Sequence, residues 1–133
     1  MGKARILLVD DEPDILHTVQ RALEFEDYEV LTATNGLEAL GAIRIHQPDL
    51  VLLDVMLPGE NGYRVARAVR EDQEKGVYDR SIPIILVTAR DLSADPEREQ
   101  MFMDFSRANR VMYKPFDLDE LLELVAGVLG SPG

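Results

Sequence analysis

The chain has 133 residues, of which 46% are hydrophobic and 29% charged, no cysteine and a formal net charge of -11. This length and composition are typical of one globular domain and exclude a disordered chain. The lack of cysteine excludes disulfides and thiolate metal sites, and the acidic surplus argues against direct nucleic-acid binding, which uses clusters of Lys and Arg.

Short apolar runs alternate with helical patterns along the chain. The predicted strands are residues 5–9, 30–33, 50–53, 84–87 and 111–113. The first, third and fourth are continuously apolar, which is typical of parallel strands that are covered on both faces. The alternation of strands and helices predicts one parallel α/β sheet with right-handed crossovers.

Five helices lie between and after these strands. Prolines 13 and 96 suit first turns, and Asn35, Asp95 and Asp117 suit N-caps. The buried stripes are predicted at Ile15, Val19, Ala22 and Leu23; Leu37, Leu40 and Ile43; Val65, Ala66 and Val69; and Leu118, Leu121, Leu122, Val125 and Leu129. We expect one domain over residues 1–130, followed by a tail or the start of a linker at residues 131–133.

Chemically active side chains follow the predicted strands. Asp10 and Asp11 follow the first, Asp54 the third, Thr88 the fourth and Lys114 the fifth. Ligand sites in parallel α/β sheets lie beyond the carboxyl ends of the strands, so these five side chains are expected to converge. Each alone could be a helix cap or a surface residue, but the complete set favours a site.

The three carboxylates would repel one another unless one is protonated or a cation lies between them. Oxygen ligands without Cys or His favour a hard cation, and Mg²⁺ binds a few carboxylates while it keeps positions for water or phosphate oxygens. The sequence therefore predicts a magnesium site at this edge of the sheet.

The ordered motifs resemble the receiver domains of two-component response regulators. They are ILLVDDEP at 6–13, DLVLLDVMLPG at 49–59, PIILVTA at 83–89 and KPF at 114–116. The resemblance is chemotaxis-regulator-like and covers essentially the whole chain. It implies a flavodoxin-like, doubly wound (βα)5 fold with a five-stranded parallel sheet in the order 2-1-3-4-5.

The resemblance also implies residue roles. Asp54 would be the phosphoacceptor, and Thr88 and Lys114 would contact the phosphoryl oxygens. The implied Mg²⁺ ligands, direct or through water, are Asp10, Asp11, Asp54 and the backbone carbonyl of Met56. The chain would be a phosphoryl acceptor that can dephosphorylate itself, and not a conventional enzyme.

The implied donor is a phosphohistidine of a sensor histidine kinase or a phosphotransfer protein. Phosphorylation would favour a second arrangement of the fourth helix, fifth strand and fifth helix, which an unknown downstream protein reads. No apolar run reaches the roughly 18 residues of a membrane span, and no signal-peptide pattern is seen at the start. We therefore expect a cytoplasmic monomer or weak homodimer that binds neither membranes nor nucleic acid.

The sequence departs from the family at two positions near the fifth strand. Val111 stands where most receivers carry the aromatic residue that moves with the threonine, and Arg107 replaces a glycine that is typical of the preceding turn. In the fourth helix, Met101 and Phe105 lie four residues apart and admit two interpretations. They could be core residues, or with neighbouring arginines they could form a docking patch.

Three other classes of protein fit the sequence less well. A phosphohydrolase with an aspartyl-phosphate would carry an acidic residue two positions after its nucleophile, where this chain has Met56. A phosphorylation-independent scaffold usually lacks some of the five site residues, which are all present here. A flavodoxin-like cofactor protein is disfavoured by the absence of tryptophan and of a flavin-flanking aromatic pair.

Overall fold

The computed structural model describes residues 3–89 and 95–130. Within these ranges, five strands alternate with five helices. The strands are β1 (Arg5–Val9), β2 (Glu29–Ala33), β3 (Leu50–Asp54), β4 (Ile84–Thr88) and β5 (Arg110–Tyr113), and the helices are α1 (Pro13–Phe25), α2 (Gly36–His46), α3 (Gly62–Glu74), α4 (Pro96–Ser106) and α5 (Leu118–Leu129). All strand pairs are parallel, and the order β2-β1-β3-β4-β5 confirms the predicted fold.

The central strands are covered on both faces. Every residue of β3 and β4 is buried, and β1 exposes only Arg5. One core cluster lies between the sheet and helices α2 and α3, and the other lies between the sheet and helices α1 and α5. This double burial explains why the strand sequences are continuously apolar.

The predicted buried stripe is confirmed in full for α3 and in part for α1 and α5, in which the other stripe residues are half-buried beside the buried Val19, Leu23, Leu121 and Val125. The stripe of α2 contains an exposed residue. Leu37 is 83% exposed, whereas Gly36, Ala39 and Ile43 are buried. Because α2 is apolar on both sides, its periodicity could not show which side faces the sheet. The small residues Gly36 and Ala39 let the helix approach its neighbours closely.

The residues of α4 that pack against the core are not the ones that one interpretation of the sequence favoured. Met101 and Phe105 are 58% and 41% exposed, so the prediction that they are core residues is wrong. The packed residue is Phe102, whose ring stacks on Tyr63 of α3 with 4.5 Å between the ring centroids. Phe102 therefore makes the aromatic contact between α3 and α4, while Met101 and Phe105 face outward.

A buried guanidinium holds together the edge of the sheet where β4 and β5 begin. Arg70 of α3 is only 7% exposed. It donates hydrogen bonds to the carbonyl oxygens of Ile82 (2.7 Å) and Arg107 (2.9 Å) and to the side-chain oxygens of Gln73 and Asn109 (both 2.8 Å). Arg70 therefore connects α3 to the segments that precede β4 and β5.

The carboxyl-terminal elements follow the prediction. Val111 and Tyr113 pack against the core on the α2 and α3 side, while Met112 packs on the opposite side.

The helix α5 ends at Leu129, and the predicted tail at residues 131–133 lies outside the described residues. No helix in the described part of the chain has the length and apolarity needed to span a membrane.

Candidate functional site

Strand register brings the predicted carboxylates together. Val9 of β1 pairs with Leu53 of β3, so Asp10 and Asp54 lie side by side at the carboxyl edge of the sheet. Carboxylate oxygens of Asp10, Asp11 and Asp54 lie within 4.8 Å of one another. Asp10 and Asp54 are 3% and 4% exposed, whereas Asp11 is exposed, so the cluster opens to solvent on one side.

Lys114 completes the cluster from the end of β5. Its Nζ donates hydrogen bonds to Asp10 Oδ2 at 2.9 Å and to Asp54 Oδ2 at 3.1 Å. Its backbone N–H donates to the carbonyl oxygen of Thr88 at 2.8 Å, and the Lys114–Pro115 peptide bond is cis. The ammonium therefore bridges the two buried carboxylates that come from neighbouring strands.

The two remaining predicted residues flank this bridge. Thr88 ends β4, is 1% exposed and pairs with Tyr113 in the sheet register. The backbone N–H of Met56 donates to Asp54 Oδ1 at 3.0 Å, while the Met56 side chain is 65% exposed. Each oxygen of Asp54 thus accepts one hydrogen bond, one from the backbone and one from Lys114.

Burial and charge act in opposite directions on the site. Burial raises the pKa of Asp54; the Met56 N–H lowers it, the Asp10 charge raises it and Lys114 lowers it, with a net increase. Burial disfavours the charged form of Lys114, but the hydrogen bond to Asp10 and the charges of both carboxylates outweigh this and raise its pKa. The ammonium form of Lys114 is therefore favoured beside the aspartates.

The residues present fit a hard divalent cation. The cluster offers only oxygen donors, two of them buried at adjacent strand ends and one exposed toward solvent. Carboxylates held this close need a positive charge among them, and Lys114 supplies only one. The donor set matches the preference of Mg²⁺ for carboxylates together with water or phosphate oxygens.

Sequence reasoning missed residues that support the site. Glu12 Oε1 lies 3.7 Å from Lys114 Nζ, and the Glu12 N–H donates to Asp10 Oδ1 at 2.9 Å. The acidic run of residues 10–12 was a signal for this role. Gly62 contacts the backbone beside Asp54, since an added Cβ would lie 2.4 Å from the Asp54 carbonyl oxygen. A close approach of this kind has no signal in the sequence beyond glycine itself.

Comparisons with known proteins agree with this geometry. Residues 6–126 match the family described as response regulator receiver domain. The chain is 40% identical over 133 residues to the uncharacterized transcriptional regulatory protein YkoG of Bacillus subtilis, with 100% of this chain and 54% of that protein covered. It is 34% identical over 128 residues to the protein PilH of Pseudomonas aeruginosa, with 96% and 99% covered.

Solved structures share the fold. The receiver domain of the sensor histidine kinase PA1611 from Pseudomonas aeruginosa is 31% identical, with a TM-score of 0.80, and 98% of this chain and 100% of that chain are covered. That structure carries a magnesium ion coordinated in its active-site cleft. The chain spans about half the length of several other curated relatives that it matches, YkoG among them. The sequence match, the sheet order and the acidic cluster together show that this chain belongs to the response regulator receiver domain family.

Proposed function

We propose that this receiver domain, formed by residues 1–130, accepts a phosphoryl group on Asp54 and switches a protein-binding face. Phosphorylation-driven signalling in two-component systems is the function of its family. The observation that carries the proposal is the bridge from Lys114 Nζ to Asp54 and Asp10, at 3.1 and 2.9 Å, at the carboxyl edge of the sheet. The bridge supports the proposal because two buried carboxylates, an ammonium and a further acidic side chain lie in one crevice, which is what an acceptor carboxylate and a metal site would need.

In the proposed reaction, the phosphoryl group moves from a nitrogen atom of the donor to a carboxylate oxygen of Asp54. A carboxylate oxygen of Asp54 forms an O–P bond while the P–N bond of a donor phosphohistidine breaks, and the imidazole leaves after it takes up a proton. Lys114 pairs with Asp54 beforehand and can pair with a phosphoryl oxygen afterwards. In a separate step, water attacks phosphorus, the O–P bond to Asp54 breaks, and the Asp54 carboxylate and inorganic phosphate are released, which makes the chain an acceptor with self-dephosphorylation.

Mg²⁺ would be held by Asp10, Asp11, Asp54 and the Met56 carbonyl, and when bound it supplies charge neutralisation between the acceptor and the incoming phosphoryl oxygens. The chain's own contribution is geometric. The Met56 N–H and Lys114 fix both oxygens of Asp54, and burial removes competing water from its inner side. The Thr88 hydroxyl is assigned to a phosphoryl oxygen, which would draw the following segment toward the site.

An apolar groove beside the site supports a protein as the donor. It has a volume of about 630 Å³, and its apolar lining consists mainly of Ile15, Val19, Pro115, Phe116 and Leu118. Lys114 also lines it, so a partner seated there would lie next to Asp54. A sensor histidine kinase or a phosphotransfer protein in the cytoplasm is the donor we assign to this groove.

The output face is assigned to α4 and its neighbours. Met101 and Phe105 point outward, and the Arg67 guanidinium covers the Phe105 ring at 4.9 Å. These exposed apolar side chains of α4 give a downstream protein a surface to contact. The identity of that protein depends on the rest of the signalling system.

Intact-protein mass spectrometry tests the proposal. Incubation with acetyl phosphate and Mg²⁺ is expected to add one phosphate to the parent chain. A chelator is expected to abolish the gain because it removes Mg²⁺, and Asp54→Asn because the amide is not a nucleophile. Asp49→Asn is the control, since Asp49 lies at the opposite end of β3, where it accepts hydrogen bonds from Arg5 and Arg80. No gain in a folded, Mg²⁺-binding parent would favour the scaffold, and turnover of a small phosphate ester would favour a phosphohydrolase.

A further inference from the structure

The loop between β3 and α3 is short and closes on the phosphoacceptor strand. It comprises residues 55–61 and carries Met56, whose carbonyl is a proposed metal ligand. The Gly62 N–H donates to the Val55 carbonyl at 2.8 Å, and the Gly62 Cα lies so close to the strand that an added Cβ would be 2.4 Å from the Asp54 carbonyl oxygen. Both ends of the loop are therefore fixed at Asp54.

The outer part of this loop rests on the first residue of α2. A Cβ added to Gly36 would lie 2.7 Å from Glu60 Cβ, 3.2 Å from Glu60 Cγ and 3.1 Å from Val65 Cγ2. A Cβ atom essentially never lies within 3.0 Å of another carbon, so the 2.7 Å contact with Glu60 Cβ is excluded, whereas the contacts of 3.1 and 3.2 Å need only a small shift of the neighbouring side chain. Glu60 Cβ is attached directly to the loop backbone, so a rotamer change cannot relieve the contact.

The backbone conformation does not explain the glycine at this position. Gly36 is absent from the residues with positive φ, unlike Gly59, Gly76 and Gly130. It is the first helical residue after the Asn35 cap, where alanine is otherwise well accepted. Glycine is needed at position 36 because Glu60 lies too close to leave room for a Cβ atom.

We propose that Gly36 is a positioning residue for the metal site: it allows α2 to hold the β3–α3 loop in the conformation that directs the Met56 carbonyl toward the aspartates. A larger residue at position 36 must displace something. Val65 is fully buried, and the loop ends are fixed at Asp54 and Gly62, so the displacement falls on residues 56–60. This inference rests on the proposed function, because it assigns Gly36 a role at the same magnesium site.

The primary test is the Mg²⁺ affinity of Gly36→Ala, measured by isothermal titration calorimetry. We expect the dissociation constant to rise about tenfold, the effect typical of losing a partner that orients metal ligands. Gly41→Ala is the matched control: it makes the same change in the same helix, but an added Cβ at Gly41 meets nothing within 4 Å. The control should bind Mg²⁺ within about twofold of the parent and be slightly more stable, because alanine favours the helix.

A double-mutant cycle separates positioning from general damage. In Glu60→Gly the Cβ that Gly36→Ala would meet is removed, so Gly36→Ala/Glu60→Gly should bind Mg²⁺ within about twofold of Glu60→Gly alone. A tenfold loss in both backgrounds would overturn the inference, as would an unchanged affinity in Gly36→Ala. If Gly36→Ala does not fold, the double variant must recover both the fold and the affinity of Glu60→Gly, or the inference is wrong.

The same titrations keep the two proposals distinguishable. A parent chain that neither binds Mg²⁺ nor accepts phosphate contradicts the proposed function. A parent that does both, together with a Gly36→Ala variant that binds equally well, contradicts only the positioning role. Unfolding in chelator, measured for all variants, reports any loss of stability that is separate from metal binding.

Discussion

Replacing Lys114 with methionine should lower the free energy of unfolding by about 2–4 kcal/mol in a chelating buffer, and saturating Mg²⁺ should restore most of that loss. The ammonium bridges Asp10 and Asp54, both of which are buried. Without it, two buried carboxylates face each other and the nearby Asp11 without a cation. A bound divalent ion stabilises the folded state only, and here it would also replace the missing positive charge.

Urea unfolding in chelator and in Mg²⁺ measures this exchange of one cation for another. The control is Lys3→Met, which removes an ion pair with Asp27 in which both side chains are more than half exposed and should change stability by less than about 1 kcal/mol. Equal stability of Lys114→Met and the parent in chelator would contradict the account. A loss that Mg²⁺ leaves unchanged would show that Lys114 acts by packing instead of charge.

Replacing Arg70 with methionine should cost about 3–5 kcal/mol of unfolding free energy without affecting phosphorylation of the molecules that fold. The four hydrogen bonds of Arg70 would be lost, and the carbonyl groups of Ile82 and Arg107 would lose a charged donor. Arg107 also has a φ of 53°, a left-handed conformation that is unfavourable for a residue with a Cβ. The Arg70 contact helps to hold it there.

Denaturant unfolding of Arg70→Met and of Arg64→Met tests this role. Arg64 lies on the exposed side of the same helix, so its substitution should change stability by no more than about 0.5 kcal/mol. Arg70→Lys should also be destabilising, because one ammonium cannot reach acceptors on three separate segments. A cost below about 1 kcal/mol for Arg70→Met would show that the surrounding segments are held by other contacts.

The sheet and the centre of the site were predictable because their signals are local. Continuous apolar runs indicate strands that are covered on both faces, and the carboxyl-end rule for parallel sheets then places Asp10, Asp54 and Lys114 in one crevice. The structure joins these three side chains through hydrogen bonds. The position of these three residues follows from the strand order along the chain and does not depend on how the helices pack.

The features that were not predicted depend on contacts between distant segments. Arg70 has the sequence context of an exposed helix residue, and its burial results from residues up to 39 positions away. Leu37 was assigned to the core because α2 has apolar residues on both sides. Glu12 and Gly36 acquire their roles only when β5 and the β3–α3 loop are packed against them. Such roles are set by tertiary structure and leave no periodic pattern in the sequence.

The most direct test of the central claim is to locate the phosphoryl group chemically. Borohydride reduces an acyl phosphate of aspartate to homoserine, so chain treated with acetyl phosphate and Mg²⁺ and then reduced can be sequenced by tandem mass spectrometry. We expect homoserine at position 54 alone, and none when Mg²⁺ is withheld. Homoserine at Asp10 or Asp11, or its absence from a folded chain that binds Mg²⁺, would contradict the assignment of Asp54 as the acceptor.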